Sequence, residues 1–105
     1  MNLEIFAVYD QKAQAYLPPF FVPTTGMGQR MFANCIQEEG HPFNLNPSDY
    51  TLYHIGSFED STAELTPRDR TVLQTGLEVA ATLDNEIPIG VVENGDATQE
   101  QPAQE

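Results

Sequence analysis

Cysteine and histidine, two residue types that often carry catalysis, are few in this sequence and isolated from one another. The chain has a single cysteine, Cys35, and two histidines, His41 and His54. A nucleophile pair needs a thiol within hydrogen-bond reach of an imidazole, and nothing in the spacing predicts that arrangement. Metal sites need several ligands at helical or hairpin spacing, such as CxxC or HxxxH, and neither motif occurs. We therefore expect no enzymatic activity, no metal and no cofactor.

Aromatic side chains are the second group with chemical potential, because exposed rings stack on nucleic-acid bases. Most tyrosines and phenylalanines fall on or beside segments rich in strand formers, and an open sheet face would expose some of them. The same rings would equally suit a homodimer contact, where Tyr and Phe are enriched. Together with the basic residues they define a candidate nucleic-acid-binding set: Lys12, Arg30, Tyr16, Phe21, Tyr53, Arg68 and Arg70.

The charge of the chain opposes general nucleic-acid binding. Sixteen acidic residues against four basic ones give a net charge of −12 at pH 7. No basic residue follows Arg70, so the imbalance is steepest at the C-terminal end. Nucleic-acid binding usually depends on clustered Lys and Arg, which release counterions from phosphates. Any contact with DNA must therefore use a local patch, stacking or both.

The elements that must position these side chains follow from the apolar pattern. Residues 2–10 are rich in strand formers and apolar on both faces, which predicts a central strand. Residues 15–24 resemble a second strand, but three prolines that cannot donate to a ladder place it at an edge. Apolar residues at helical spacing behind a capping threonine predict a helix over residues 26–39. The pattern is completed by strands at residues 50–58 and 63–66, the second closed by Pro67.

This order predicts an α+β fold, a small antiparallel sheet of about four strands with one helix (strand, strand, helix, strand, strand) and an acidic flexible C-terminal tail. We place the folded domain at residues 1–67, a weakly structured extension at residues 68–92 and a disordered acidic tail at residues 93–105. The extension has interrupted helical spacing between Val72 and Leu83. The tail has no apolar side chain larger than alanine, so it cannot bury enough surface to offset its ordering entropy.

The predicted architecture also bears on assembly and location. A sheet covered by one helix leaves an apolar face and an edge open, and open edges invite pairing. We therefore expect a homodimer, formed through the aromatic strand 50–58 or the proline-rich edge 16–23. No apolar stretch approaches the ~20 residues of a membrane span, so no membrane contact is expected. The lone cysteine fits a reducing compartment, and the default location is therefore the cytoplasm.

Several segments together resemble a known family. They are Val8-Tyr9-Asp10 with Ala15-Tyr16, Pro19-Phe20-Phe21, and Asp49-Tyr50 leading to Ile55-Gly56 and Asp60-Ser61-Thr62. This combination is similar to the small non-structural protein of gokushoviruses, which are Microviridae with circular single-stranded DNA genomes that infect bacteria. The resemblance covers residues 3–67. It supplies no catalytic residues to carry over to this sequence.

The resemblance implies a bacteriophage non-structural protein of the host bacterial cytoplasm, DNA-binding or assisting viral genome replication and single-strand synthesis. Two hypotheses follow from the resemblance and the charge together. In the first, the folded domain binds single-stranded DNA weakly through exposed aromatics and a few cations. In the second, the protein is an acidic adaptor that binds the phage replication initiator or a host replication protein without touching DNA.

Overall fold

The computed structural model of the protein describes residues 1–85. In this part of the chain, strands form one antiparallel sheet and helices pack against it, which confirms the predicted α+β fold. Helices also occur outside the single predicted one. The bounds in chain order are β1 Asn2–Asp10, β2 Ala15–Tyr16, β3 Phe20–Val22, α1 Thr25–Gln37, α2 Pro42–Leu45, β4 Tyr50–Glu59, β5 Glu64–Thr75 and α3 Gly76–Asn85.

β1 lies inside the sheet, as its two apolar faces predict. The strand order is β2–β1–β4–β5, and β3 pairs with β1 on the same side as β2. β2 and β3 are therefore two parts of the predicted edge strand, which Pro18 and Pro19 interrupt because they cannot donate to the ladder. β4 pairs with β1 on one side and β5 on the other. The aromatic strand predicted as a dimer contact thus has both edges occupied.

The helices pack on one face of the sheet. α1 begins after Thr24, whose Oγ1 accepts a hydrogen bond from the Met27 amide at 3.1 Å. The helix comes very close to β1 at Gly28, where a Cβ atom would lie 2.7 Å from the Phe6 ring. A larger residue there would push the helix off the sheet. The buried core cluster draws on the sheet and on all three helices: Phe6, Val8, Val22, Phe32, Ile36, Phe43, Leu52 and Val79.

The segment between α1 and β4, predicted as a loop, contains a short helix and a turn of 3₁₀-helix, Pro47–Asp49. Pro42 stands at the start of α2, where its missing N–H costs nothing. His41 caps this helix, because its Nδ1 accepts a hydrogen bond from the Phe43 amide at 3.0 Å. Phe43 is buried in the core, which explains why the segment is ordered.

β5 continues eight residues past Pro67, where the sequence predicted its end. The proline is tolerated because β5 is the outer strand of the pairing order and Pro67 borders a bulge. Opposite Pro67, a Cβ atom on Gly56 would lie 2.8 Å from the Thr66 carbonyl oxygen, so the two strands approach closely only because residue 56 is glycine. In the bulge, Ile55 alone faces three β5 residues, Arg68, Asp69 and Arg70.

α3 follows β5 directly and begins with a capping box. The Thr75 Oγ1 accepts from the Glu78 amide, and the Glu78 Oε1 accepts from the Thr75 amide, each at 3.0 Å. Val79 anchors the helix in the core. Residues 68–85 of the predicted extension thus form strand and helix, whereas the predicted tail lies outside the described residues. No helix among residues 1–85 is long and apolar enough to cross a membrane.

Candidate nucleic-acid interface

The sheet face opposite the helices, here called the open face, is built by alternate residues of β1 and their cross-strand neighbours. Because side chains alternate along a strand, Phe6 and Val8 enter the core while Ile5 and Ala7 point to the other side. A groove on this face is lined by residues of the strands and of the segment between β2 and β3. The strand residues of the open face include Leu3, Ile5, Ala7, Tyr9, Tyr16, Phe21, Tyr53, Ile55 and Phe58.

Three tyrosines form a cluster at one end of the open face. Tyr16 pairs with Tyr9 across the β1–β2 ladder, and their ring centroids lie 4.9 Å apart. The Tyr16 ring also meets Tyr53 of β4 edge-on, at 5.4 Å and an interplanar angle of 77°. All three rings are half-buried. Such a cluster offers flat apolar surface without closing it off from a ligand.

Arg70 lies over this tyrosine cluster. Its Nη1 donates a hydrogen bond to the Tyr16 hydroxyl at 2.5 Å, and its Cζ lies 5.7 Å and 6.0 Å from the Tyr16 and Tyr53 ring centroids. These distances fall within cation–π range. No carboxylate of the described residues is within salt-bridge distance of Arg70. Aromatic groups therefore hold this guanidinium in place, and no acidic side chain in the described part of the chain neutralises its charge.

A second aromatic pair occupies the other end of the open face. Phe21 faces Ile5 and Phe58 faces Leu3 in the strand register, so both rings leave the sheet on the same side. Their centroids are 5.7 Å apart at 82°. Phe21 is 45% exposed, more than any tyrosine of the cluster. Two aromatic surfaces thus lie along β1, separated by four residue steps from Ile5 to Tyr9, or about 13 Å.

The groove on this face has a volume of about 540 Å³ and opens beside Arg70. The side chains around it are mostly apolar, and the polar groups come from Tyr16 and Arg70. Ala7, which is only 3% exposed, borders the groove where β1 passes beneath it. The residues lining the groove are Ala7, Tyr16, Leu17, Pro18, Pro19, Ile55 and Arg70.

The structure places four of the seven candidate residues on one face of the sheet and the other three elsewhere. Tyr16, Phe21, Tyr53 and Arg70 share the open face. Arg68 instead reaches a buried histidine that stacks on a core ring. Two more cations lie elsewhere: Arg30 is exposed on α1, and the Lys12 Nζ stands 3.8 Å from an Asp49 carboxylate oxygen in the turn after β1.

Sequence reasoning left Tyr9, Ile55 and Phe58 out of the candidate set. Alternation along β1 puts Tyr9 on the same face as Ile5 and Ala7, which is the open face. The sequence therefore contained the information needed to include Tyr9.

Ile55 has the same parity along β4 as Tyr53, so alternation placed it on the same face as well. Phe58 has the opposite parity, and its position depends on the bulge in the β1–β4 pairing, which shifts the register between Ile5 and Phe6. No residue pattern encodes such a shift clearly.

His54 is the centre of a hydrogen-bonded link across three strands. Its ring is 7% exposed and stacks on Phe6 with centroids 4.9 Å apart. An arginine can only donate, so the 2.9 Å contact with the Arg68 Nη1 makes Nδ1 the acceptor. The imidazole proton is then on Nε2, which donates to the Glu4 Oε1 at 2.7 Å. Both ring nitrogens are engaged in joining β1, β4 and β5.

Cys35 lies half-buried at the margin of the core. Burial, and secondly the charge of Glu38, raises the pKa of the Cys35 thiol. A raised pKa leaves less thiolate at neutral pH and hence a weaker nucleophile. Among residues 1–85, no group of three or more His, Cys, Asp or Glu side chains is placed to hold a metal ion.

Comparison with known proteins assigns the chain to a family. Residues 3–79 match the family model described as Phage ORF5 protein. The match runs through the sheet from Leu3 of β1 and continues past Pro67 through β5 to Val79 of α3. No curated protein matches the chain, and no solved structure does.

Proposed function

The chain belongs to the Phage ORF5 protein family, and on that premise we propose a non-structural accessory protein that binds single-stranded DNA weakly. It would act in viral genome replication or single-strand synthesis of a gokushovirus-type microvirus. The observation that carries the proposal is Arg70 lying across Tyr16 and Tyr53 on the open face. A guanidinium beside flat rings offers what a single strand presents, namely phosphates and unstacked bases.

Stacking has to provide most of the affinity in this proposal. The chain carries a net charge of −12, which repels a polyanion at long range. Only Arg70 among the candidate cations lies over the aromatic surface. Each stacked base contributes about 1–3 kcal/mol, so two or three stacked bases suffice for weak binding. The rings named for this role are those of Tyr16, Tyr53 and Phe21.

Fluorescence anisotropy with a labelled oligothymidylate at ~50 mM salt tests the proposal. Tyr53→Ala and Arg70→Gln should each weaken binding at least fivefold, because each removes part of the surface that supports a base. Arg30→Gln removes the same charge from an exposed position on α1 and serves as the matched control. Absence of binding by the native protein would reject the single-strand proposal.

An acidic adaptor is the second candidate, and the distribution of charge favours it. Residues after Arg70 include seven acids and no base. Acidic segments of this kind attract basic protein surfaces and repel DNA. In this alternative the protein binds the phage replication initiator or a host replication protein without touching DNA. Binding to the initiator that survives nuclease treatment, together with no affinity for oligothymidylate, would favour the adaptor.

We also propose that the protein acts by binding and not by catalysis. His41 caps α2, and His54 has both ring nitrogens engaged by Glu4 and Arg68. The raised pKa of the Cys35 thiol makes that residue a weak nucleophile. These three assignments support structural roles for the two histidines and the cysteine.

A further inference from the structure

The groove beside Arg70 combines two features. Its apolar walls suit the base of a nucleotide, and the arginine suits the phosphate. Its walls are apolar and include two consecutive prolines, Pro18 and Pro19, beside the Tyr16 ring. Its volume of about 540 Å³ falls in the range of small-molecule sites. Arg70 stands at the groove with its charge not paired to any carboxylate of residues 1–85. Flat apolar walls therefore lie next to one available positive charge.

The position of Arg70 is fixed by the fold. The bulge of β5 places three residues opposite Ile55, and the side chain of Arg70 leaves it toward the open face. The hydrogen bond to Tyr16 then holds the guanidinium at the groove. An arginine has five N–H donors, and this contact uses one of them, so donors remain for a phosphate.

We propose that this groove is a nucleotide subsite, which takes one unstacked base of a single strand between Tyr16 and the two prolines and places a neighbouring phosphate on Arg70. The proposal rests on the single-stranded DNA binding proposed above and specifies where the first base is held. A base fits the apolar walls and a phosphate fits the arginine, so the ligand matches the groove in shape and charge. Side-chain polar groups come only from Tyr16 and Arg70, so the subsite distinguishes poorly between bases.

Filling the groove while leaving its ring and its charge in place tests this subsite. Ala7→Leu adds three carbon atoms at the border of the groove and alters neither Tyr16 nor Arg70. We expect this variant to bind a labelled thymidine octamer about tenfold more weakly, the loss of about one stacked base. Ala81→Leu, at an exposed position of α3, is the matched control and should bind as the native protein does. Equal affinities for the two folded variants would overturn the subsite.

A second measurement on the native protein covers the case in which Ala7→Leu does not fold. A base seated in the groove should shift the methyl resonances of Ala7 and Ile55 through its ring current as the octamer is titrated. An octamer of abasic sites, with the same phosphates, should bind much more weakly and leave those resonances in place. Octamer binding without any shift of the two methyl groups rejects the subsite but leaves the proposed function standing. No octamer binding at all rejects both.

A thymidine octamer and a cytidine octamer should bind with affinities within about threefold of each other, because few polar groups line the groove. A strong preference for one base would contradict a subsite of this composition. The resonances of the same methyl groups should not shift with protein concentration in the absence of DNA. Such a shift would also overturn the subsite, because it would assign the groove to a dimer contact with a second copy of the chain.

Discussion

Arg70 and Tyr16 come from the two ends of the strand order β2–β1–β4–β5 and meet above the two strands between them. The hydrogen bond between them joins residues 54 positions apart in the sequence. Because the contact crosses β1 and β4, it depends on the register of three strand pairs at once. The candidate interface is therefore a property of the assembled sheet and not of any single segment.

The dependence of single-strand affinity on salt should be shallow. For single strands the logarithmic slope is about −0.7 per neutralised phosphate. Arg70 alone lies over the aromatic surface, so we expect a slope of about −0.7, and no steeper than about −3 even if all four basic residues contribute. Anisotropy titrations at several salt concentrations measure it. A slope much steeper than about −3 would indicate a cationic surface that these residues do not provide.

Arg68 should contribute to stability and not to DNA binding. Arg68→Met leaves the buried Nδ1 of His54 without its donor, which costs about 1–3 kcal/mol of unfolding free energy. Arg30→Met, at an exposed position, should change that free energy by less than about 0.5 kcal/mol. Urea denaturation of both variants gives the comparison. If the folded Arg68 variant loses affinity for oligothymidylate as Arg70→Gln does, the division of roles between the two arginines is wrong.

The N-terminal amine makes stability depend on pH at both extremes. It donates to Glu59 and Asp60 at 2.8 Å each, and these carboxylates, Asp60 first, raise its pKa from 8.0 to about 10. The amine, followed by Ser61, lowers the pKa of Glu59 from 4.5 to about 2. The raised pKa gives a contribution that is full below pH 8 and lost as pH rises through about 10. The lowered pKa gives one that is full above pH 4.5 and lost as pH falls through about 2.

Thermal unfolding across these two pH windows, with acetylated and free amine, measures the effect. Acetylation should remove the dependence between pH 8 and 10, because the acetylated amine no longer titrates. Glu59→Gln should reduce the dependence between pH 2 and 4.5. All of these groups lie at the surface, so the changes should be small and should diminish with added salt. Identical profiles for the free and acetylated proteins would show that the amine does not hold the β4–β5 turn in solution.

Removing residues 93–105 should distinguish DNA from protein as the partner. The deletion takes away four acidic residues, Glu93, Asp96, Glu100 and Glu105, and no basic one. Less repulsion should strengthen binding to oligothymidylate, whereas an adaptor should lose affinity for a basic protein partner. Both ligands should be titrated against both lengths of chain. A truncation that changes neither affinity would mean that this acidic segment serves neither kind of binding.

The α+β fold could be predicted because local patterns and tertiary packing agree in most of the chain. β1 is apolar on both faces and lies inside the sheet, and Thr24 caps the predicted helix. The end of β5 was placed wrongly because Pro67 is a strong local stop signal, which an edge position and a bulge override. The start of α3 is encoded locally, because Thr75 and Glu78 have the three-residue spacing of a capping box.

The candidate site could be predicted only in its residue types. The sequence identified aromatic and basic residues, and its alternation separated the two faces of β1. It could not assign Arg68 and Arg70 to different faces, because two residues of the same parity would leave a regular strand on the same side. The bulge opposite Ile55 breaks that parity, and its length depends on how β5 pairs with β4.

The same bulge divides the β4–β5 hairpin into two separately paired halves. Tyr53 and His54 pair with Val72 and Thr71 on the inner side, while Phe58 pairs with Leu65 on the outer side. Insertions or deletions at the hairpin tip would change only the pairing of the outer half and would leave the inner register intact. Related sequences are thus free to vary the tip in length, whereas the inner pairing of Thr71 with His54 keeps Arg70 beside the tyrosines.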